Sequence, residues 1–147
     1  LVKKKKTSKE KLNNVYYQFA LLFYHITDRF GIRILEPGDR QGFMMNLWLY
    51  LWTDHIKLQE FSKAEMEAYQ GELKDMYDNF IDRYRKCEKL IGHPDKGLEN
   101  TLFWEFSKDI TQFTEHPNDI RSIILCHGLL ADALETINIK EILEAIK

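Results

Sequence analysis

The sequence predicts an all-α protein, built as a single antiparallel bundle of five main helices plus a short C-terminal helix. Its apolar residues recur mostly at spacings of three and four, which is the period of a helix with one buried face. Most of these stretches begin at a capping residue and end at Gly or Pro, the residues that start and stop helices. With 147 residues, of which 44% are hydrophobic, the chain has the size and composition of one ordinary globular domain.

The first two helices are predicted over residues 8–30 and 39–59. The first ends at Gly31, because Gly tolerates the left-handed conformation that follows many helices. Its inward stripe is Leu12, Val15, Tyr16, Phe19, Phe23, Ile26 and Phe30. A turn at Glu36-Pro37-Gly38 precedes Asp39, which is predicted to cap the second helix. The middle of the second helix is apolar on every face, which is typical of a helix that is central in the fold or bound to a partner.

Ser62 and Glu65 have the spacing of a capping box at the start of the third helix, which is predicted to reach about Ile91. Its apolar residues follow one seam, as in antiparallel bundles: Met66, Tyr69, Leu73, Met76, Phe80, Tyr84, Cys87 and Ile91. The fourth helix is predicted to begin between Asp95 and Asn100. Its inward residues are Leu102, Phe103, Phe106, Ile110 and Phe113.

Pro117 suits the first position of the fifth helix. One side of this helix is predicted to carry Ile120, Ile123, Ile124, His127, Leu130, Leu134 and Ile137. Asn138 with Glu141 is predicted to cap the last short helix. Because no repeat or linker divides the chain, residues 8–147 are predicted to form one domain after a disordered basic tail at residues 1–7.

Charge and cysteine content exclude several classes of protein. Six lysines and one glutamate lie in residues 1–11, whereas the remainder holds 15 basic and 22 acidic residues and argues against a broad nucleic-acid-binding surface. Two cysteines, Cys87 and Cys126, are too few for a disulfide framework, and no signal-peptide pattern opens the chain, so we expect a cytoplasmic protein. The run 43–52 is about half the length that spans a bilayer, so no membrane association is expected.

Arg121 and His127, on the late helix Arg121-Ser122-Ile123-Ile124-Leu125-Cys126-His127, resemble the Arg/His signature of HEPN ribonucleases. That family consists of metal-independent, usually dimeric helical bundles found in toxin and abortive-infection systems. The resemblance implies His127 as the general base and Arg121 as the group that stabilises the phosphate. On one helix the two side chains point about 120° apart and lie roughly 9 Å apart along the axis, so one helix alone cannot aim both at one phosphate. A two-fold dimer that brings two motifs together would meet this need. The alternative is a buried His127 with no catalytic role.

Two further motifs have simpler explanations. The segment His93-Pro94-Asp95-Lys96 is similar to the loop with which J-domain co-chaperones engage an Hsp70 partner, but Gly-His-Pro is also an ordinary helix stop. His25 with Asp28, and Asp54 with His55, could form a mixed metal site if the first two helices are neighbours. Surface positions are the default explanation of these residues, and no metal or cofactor is predicted.

Aromatic residues and methionines provide the remaining candidate site. Five of them are candidates for an interface or an apolar pocket, because such side chains are enriched in both: Met44, Met45, Trp48, Trp52 and Trp104. The alternative is that the second helix is simply the surrounded central helix. The sequence therefore favours a small non-enzymatic protein-interaction protein, self-associating or bound to another protein, and nucleic acid is a partner only if the chain is a ribonuclease.

Overall fold

The computed structural model describes residues 8–58, 62–92, 97–114 and 117–146, and this part of the chain is all-α, as predicted. Its helical segments are α1 (Ser8–Ile34), α2 (Pro37–Leu58), α3 (Lys63–Tyr84), α4 (Leu102–Thr111), α5 (Ile120–Ile137) and α6 (Ile139–Ile146). The antiparallel arrangement stays a prediction. The basic tail at residues 1–7 and the motif at residues 93–96 lie outside the described residues.

Backbone contacts group the chain into two compact units. One consists of the chain up to Leu22 together with Cys87–Ile137, and the other of Phe23–Lys86 together with the chain from Asn138 onward. Helix α1 therefore contributes to both units, whereas α5 and α6 belong to different ones. That residues 8–147 form one domain stays a prediction beside this grouping.

The first unit is built on the packing of α4 against α5. The inward face of α4 is buried as predicted, with Leu102, Phe103, Phe106 and Ile110 in the interior. The ring of Phe106 meets the ring of Phe19 from α1 edge to face, with 5.2 Å between their centroids. Aromatic pairs in this arrangement add to the stabilisation that burial alone provides.

The second unit buries one seam of α3, as the spacing of its apolar residues predicts. Leu73, Phe80 and Tyr84 are buried on α3, and Ile139 and Leu143 are buried on α6. A hydrogen bond from the Asn138 side chain to Glu141 joins the two residues that the sequence predicts as the start of α6. The backbone of Asn138 has the left-handed conformation, with a φ of 46°, so this residue also ends α5.

The boundary between α1 and α2 differs from the prediction. Gly31 does not end α1: the N–H of Leu35 donates to its carbonyl at 2.9 Å, and the helix continues to Ile34. Helix α2 begins at Pro37 rather than at Asp39, which lies in its first turn. Proline suits the first helical position because its missing N–H would have no partner there.

The predicted end of α3 at Ile91 is wrong, because the helix stops at Tyr84. The chain that follows runs parallel to the segment at the start of α4, with Lys89 paired to Thr101. The carbonyls of Lys89 and Leu90 accept hydrogen bonds from the N–H groups of Leu102 and Phe103, at 2.9 and 3.0 Å. These are donors of the first helical turn, which have no partner inside a helix. Main-chain oxygens thus replace the side-chain cap that Thr101 does not provide.

Helix α5 starts at Ile120, three residues later than Pro117 suggests. Asp119 precedes it and caps it. One carboxylate oxygen of Asp119 accepts hydrogen bonds from the N–H and from the hydroxyl of Ser122, both at 2.9 Å. An aspartate in this place satisfies an orphan donor and complements the positive end of the helix dipole.

Candidate functional site

Helix α5 carries apolar residues on two sides. Ile123 and Leu130 are buried on one side. On the other side, large aliphatic residues are exposed to solvent: Ile124 is 56% exposed, Leu125 65% and Leu129 61%. Gly128 lies between them. We call this surface the α5 face, and it consists of Ile124, Leu125, Gly128 and Leu129.

The sequence prediction that α5 has one apolar side is wrong for Ile120, Ile124 and Ile137, which are exposed. Consecutive residues of a helix point about 100° apart, so Ile123 and Ile124 cannot share a buried side. The signal for a second face was present in the sequence. Leu129 and Leu130 are also adjacent, and each such pair of apolar neighbours sends one side chain to each side.

The α5 face has room above its centre. A Cβ added at Gly128 would meet no atom within 4 Å, beyond the helix's own backbone. Because Gly128 has no side chain, it leaves an open space between the side chains of this face. Large apolar side chains exposed together on one side of a helix are typical of a place where another molecule binds.

Arg121 and His127 lie on different sides of α5. The Nε2 atom of His127 is buried and, within the described part of the chain, has no hydrogen-bond partner. The edge of the His127 ring approaches the ring of Trp104, with 6.1 Å between centroids, and burial lowers the pKa of His127 below its usual value. Arg121 is exposed on the side of the α5 face. One copy of the chain therefore does not bring this pair to a shared phosphate.

The five predicted interface or pocket residues lie in different surroundings. Met44 and Trp52 are buried, and Trp48 is half-buried. Trp104 is also half-buried, against His127. Met45 is the exposed member, and it lies near the exposed Leu49 and Tyr50 on α2. Of the predicted set, only Met45 is thus exposed.

Trp48 belongs to a closed aromatic cluster with Tyr24 and Tyr77. The three ring centroids are 5.1 to 5.5 Å apart, and each pair meets edge to face. Rings in direct contact leave no space for a cation or an apolar ligand between them, so the cluster is packing rather than a binding cage. Burial raises the pKa of Tyr77 to about 12, and both hydroxyls stay protonated at neutral pH.

The predicted alternative of a mixed metal site includes His25 and Asp28, and both already have protein partners. Arg29 donates from Nε to His25 Nε2 at 2.9 Å. Arg40 donates to both oxygens of Asp28, at 2.8 and 2.9 Å. The side chains of Asp54 and His55 lie outside the described residues. Among the side chains that are described, no group of three or more His, Cys, Asp or Glu could hold a metal ion.

The lowered pKa of His25 predicts that the stability of the protein depends on pH. Burial and the neighbouring Arg29 lower its pKa to about 4 in the folded protein, from 6.5. Because the unfolded chain binds the proton more tightly, the free energy of unfolding should be fully retained above about pH 6.5 and should fall as the pH drops towards 4. The His25→Gln variant keeps an acceptor for Arg29 but cannot titrate. Denaturant unfolding at about pH 7 and pH 5 should show a smaller loss in the variant than in the wild type. Equal losses would contradict the assignment.

The stretch Ile120–Ile146 is long and apolar enough to cross a membrane by length and composition, and 17% of its most apolar window is buried. The expectation of no membrane association rests on residues 43–52, whereas this longer stretch is the one with the length and composition to span. The left-handed backbone conformation of Asn138 interrupts the helix within this stretch. Its charged residues are mostly acidic, whereas helices that lie on membranes favour Lys and Arg: Arg121, Asp132, Glu135, Lys140, Glu141 and Glu144.

Comparison with known proteins adds no identity to this geometry. No protein-family model, no curated protein and no solved structure matches the chain.

Proposed function

We propose that this chain is a small non-enzymatic protein-interaction protein whose α5 face binds a helix of another protein molecule. The observation that carries the proposal is the exposure of Ile124, Leu125 and Leu129 on one side of a regular helix. Fully burying one such side chain is worth about 1.5–3 kcal/mol, so three of them provide a substantial driving force for association. A helix suits this face, because helices pack by laying side chains into the grooves of a neighbour, and Gly128 fills no such groove with a side chain of its own.

The charges around the α5 face favour a protein over an anionic membrane. Acidic residues outnumber basic ones along α5 and α6, and Asp132 and Glu135 lie close to the face. Such residues would be repelled by anionic lipid headgroups and are costly inside hydrocarbon. We also place the protein in the cytoplasm, a compartment that suits the free thiols of Cys87 and Cys126.

The proposal is tested by site-specific photocrosslinking of the full chain in its own cells. A photoreactive phenylalanine analogue replaces Leu129, and a matched control carries it at Glu72, which is exposed on α3. We expect protein adducts from position 129 and not from position 72. The adducts should disappear when Leu125→Glu puts a charge into the same face, because an unpaired charge would be buried at the interface.

Three outcomes would contradict the proposed function. Adducts with lipid alone would identify the surface as a membrane-binding one. The absence of any adduct specific to position 129 would show that the face has no partner. Metal-independent cleavage of cellular RNA by purified protein, lost in folded Arg121→Ala and His127→Ala variants, would show instead that the chain is the ribonuclease that the HEPN resemblance implies.

A further inference from the structure

We infer that the helix bound by the α5 face is α5 of a second copy of this chain, packed antiparallel across a two-fold axis. This inference rests on the proposed function, since it names the partner of the same surface. The observation behind it is that the face is complementary to itself in shape and in charge when one copy is reversed against the other.

The register of the pair follows from the positions of the face residues. In a two-fold antiparallel pair, residues equally far before and after the axis lie opposite each other. With the axis midway between Cys126 and His127, Leu125 lies opposite Gly128 of the second copy. Ile124 lies at the same height as Leu129 of the second copy, on the other flank of the interface. All four residues of the α5 face thus lie at matching heights within one register.

Shape complementarity centres on Leu125 and Gly128. The Leu125 side chain is 65% exposed, and apart from its chain neighbours and the helix's own backbone nothing lies within 4 Å of a Cβ added at Gly128. Leu125 of one copy therefore lies at the height of the open space beside Gly128 of the other, twice across the axis. Glycine also allows two backbones to approach closely, because it has no side chain between them.

Arg121 and Asp132 provide charge complementarity, because they lie equally far before and after the same axis. They are about 16 Å apart along the helix, and both point within roughly 10° of the centre line of the face. Both are exposed, and within the described part of the chain neither makes an ion pair. The antiparallel register sets each Arg121 against Asp132 of the second copy, which makes two ion pairs per dimer.

A parallel pair does not fit these residues. It would place Arg121 against Arg121 and Asp132 against Asp132, and like charges facing each other weaken association. Arg121 also lies in the first turn of α5, where the helix dipole disfavours a positive charge. A carboxylate from the second copy offsets this local cost, and the dipoles of antiparallel helices attract one another.

The dimer is expected to be of moderate affinity. Each copy contributes six residues, the four of the α5 face together with Arg121 and Asp132. A standard interface has about 20 to 30 residues a side, so we expect a dissociation constant in the micromolar range. Sedimentation of the purified full chain from about 1 to 200 µM should show a reversible monomer–dimer equilibrium.

Reversal of one charge at a time tests both the partner and the register. Arg121→Asp faces Asp132 with a like charge, and Asp132→Arg does the same to Arg121. Each variant alone should dimerise at least about tenfold more weakly than the wild type, since two ion pairs become two repulsions. An equimolar mixture of the two variants should dimerise again, because each then meets the opposite charge on the other. The recovery in the mixture also shows that both variants are folded.

Each alternative outcome has a definite meaning. A chain that stays monomeric at the highest concentration overturns the self-association, while protein adducts from position 129 would leave the proposed function standing with a different partner. A dimer that neither variant weakens, or a mixture that does not recover, overturns the antiparallel register. Adducts at position 129 with twice the mass of the chain are expected if both proposals hold.

Discussion

Replacing Phe106 with alanine is expected to lower the free energy of unfolding by about 3–5 kcal/mol. Phe106 is fully buried on α4, and its ring packs edge to face against Phe19. The substitution removes the largest part of a buried side chain, leaves a cavity, and removes an aromatic pair. Unfolding by urea, followed by circular dichroism at a fixed protein concentration, measures the loss.

The matched control for Phe106 is Ile32→Ala, which truncates a large apolar residue that is 60% exposed on α1. Its effect should lie within about 0.5 kcal/mol, because surface truncations remove few contacts. A loss below about 1 kcal/mol for Phe106→Ala would mean that the packing of α4 is not part of the cooperative core.

Gly92→Ala is expected to destabilise the protein by about 1–3 kcal/mol through overpacking. The added Cβ would lie 2.7 Å from the carbonyl oxygen of Gly97 and 2.8 Å from the Cα of Leu98. Both are backbone atoms, so the loop cannot relieve the clash by rotating a side chain. The melting temperature and the urea midpoint should both fall.

Gly71→Ala is the matched control for Gly92, because a Cβ at this exposed position of α3 meets nothing within 4 Å. It should raise the stability by about 0.5–1 kcal/mol, since Ala loses less backbone entropy than Gly in a helix. Equal effects of the two substitutions would contradict the close approach of the 97–98 backbone to Gly92.

The helices themselves could be predicted from the sequence, because apolar residues recur at the helical period, but the buried face was predictable for α3 and α4 and not for all of α1 and α5. The ends of helices were less predictable. Gly31 was expected to stop α1, but Gly permits a helix end without requiring one, and a hydrogen bond to Leu35 continues the helix. Helix α3 ends at Tyr84, and Lys89 then pairs with Thr101, a contact that no local signal in the sequence reveals.

The candidate site was less predictable than the fold. The aromatic residues of α2 and Trp104 predict an interface or an apolar pocket. Trp48, however, is packed against Tyr24 and Tyr77. Whether an apolar side chain is covered depends on the elements around it, and the sequence alone does not place them. The α5 face consists of ordinary aliphatic residues, and its self-complementary order becomes visible once the exposed side of the helix is known.

The carbonyls of Lys89 and Leu90 at the start of α4 have a consequence for how this region opens. A helix of 10 residues is marginal on its own, so α4 depends on contacts made elsewhere in the chain. When the segment around Lys89 lifts away, the amides of Leu102 and Phe103 lose their acceptors at the same moment. Hydrogen–deuterium exchange at these two amides therefore reports the undocking of a segment more than ten residues earlier, and local fraying of α4 and loop release become one event.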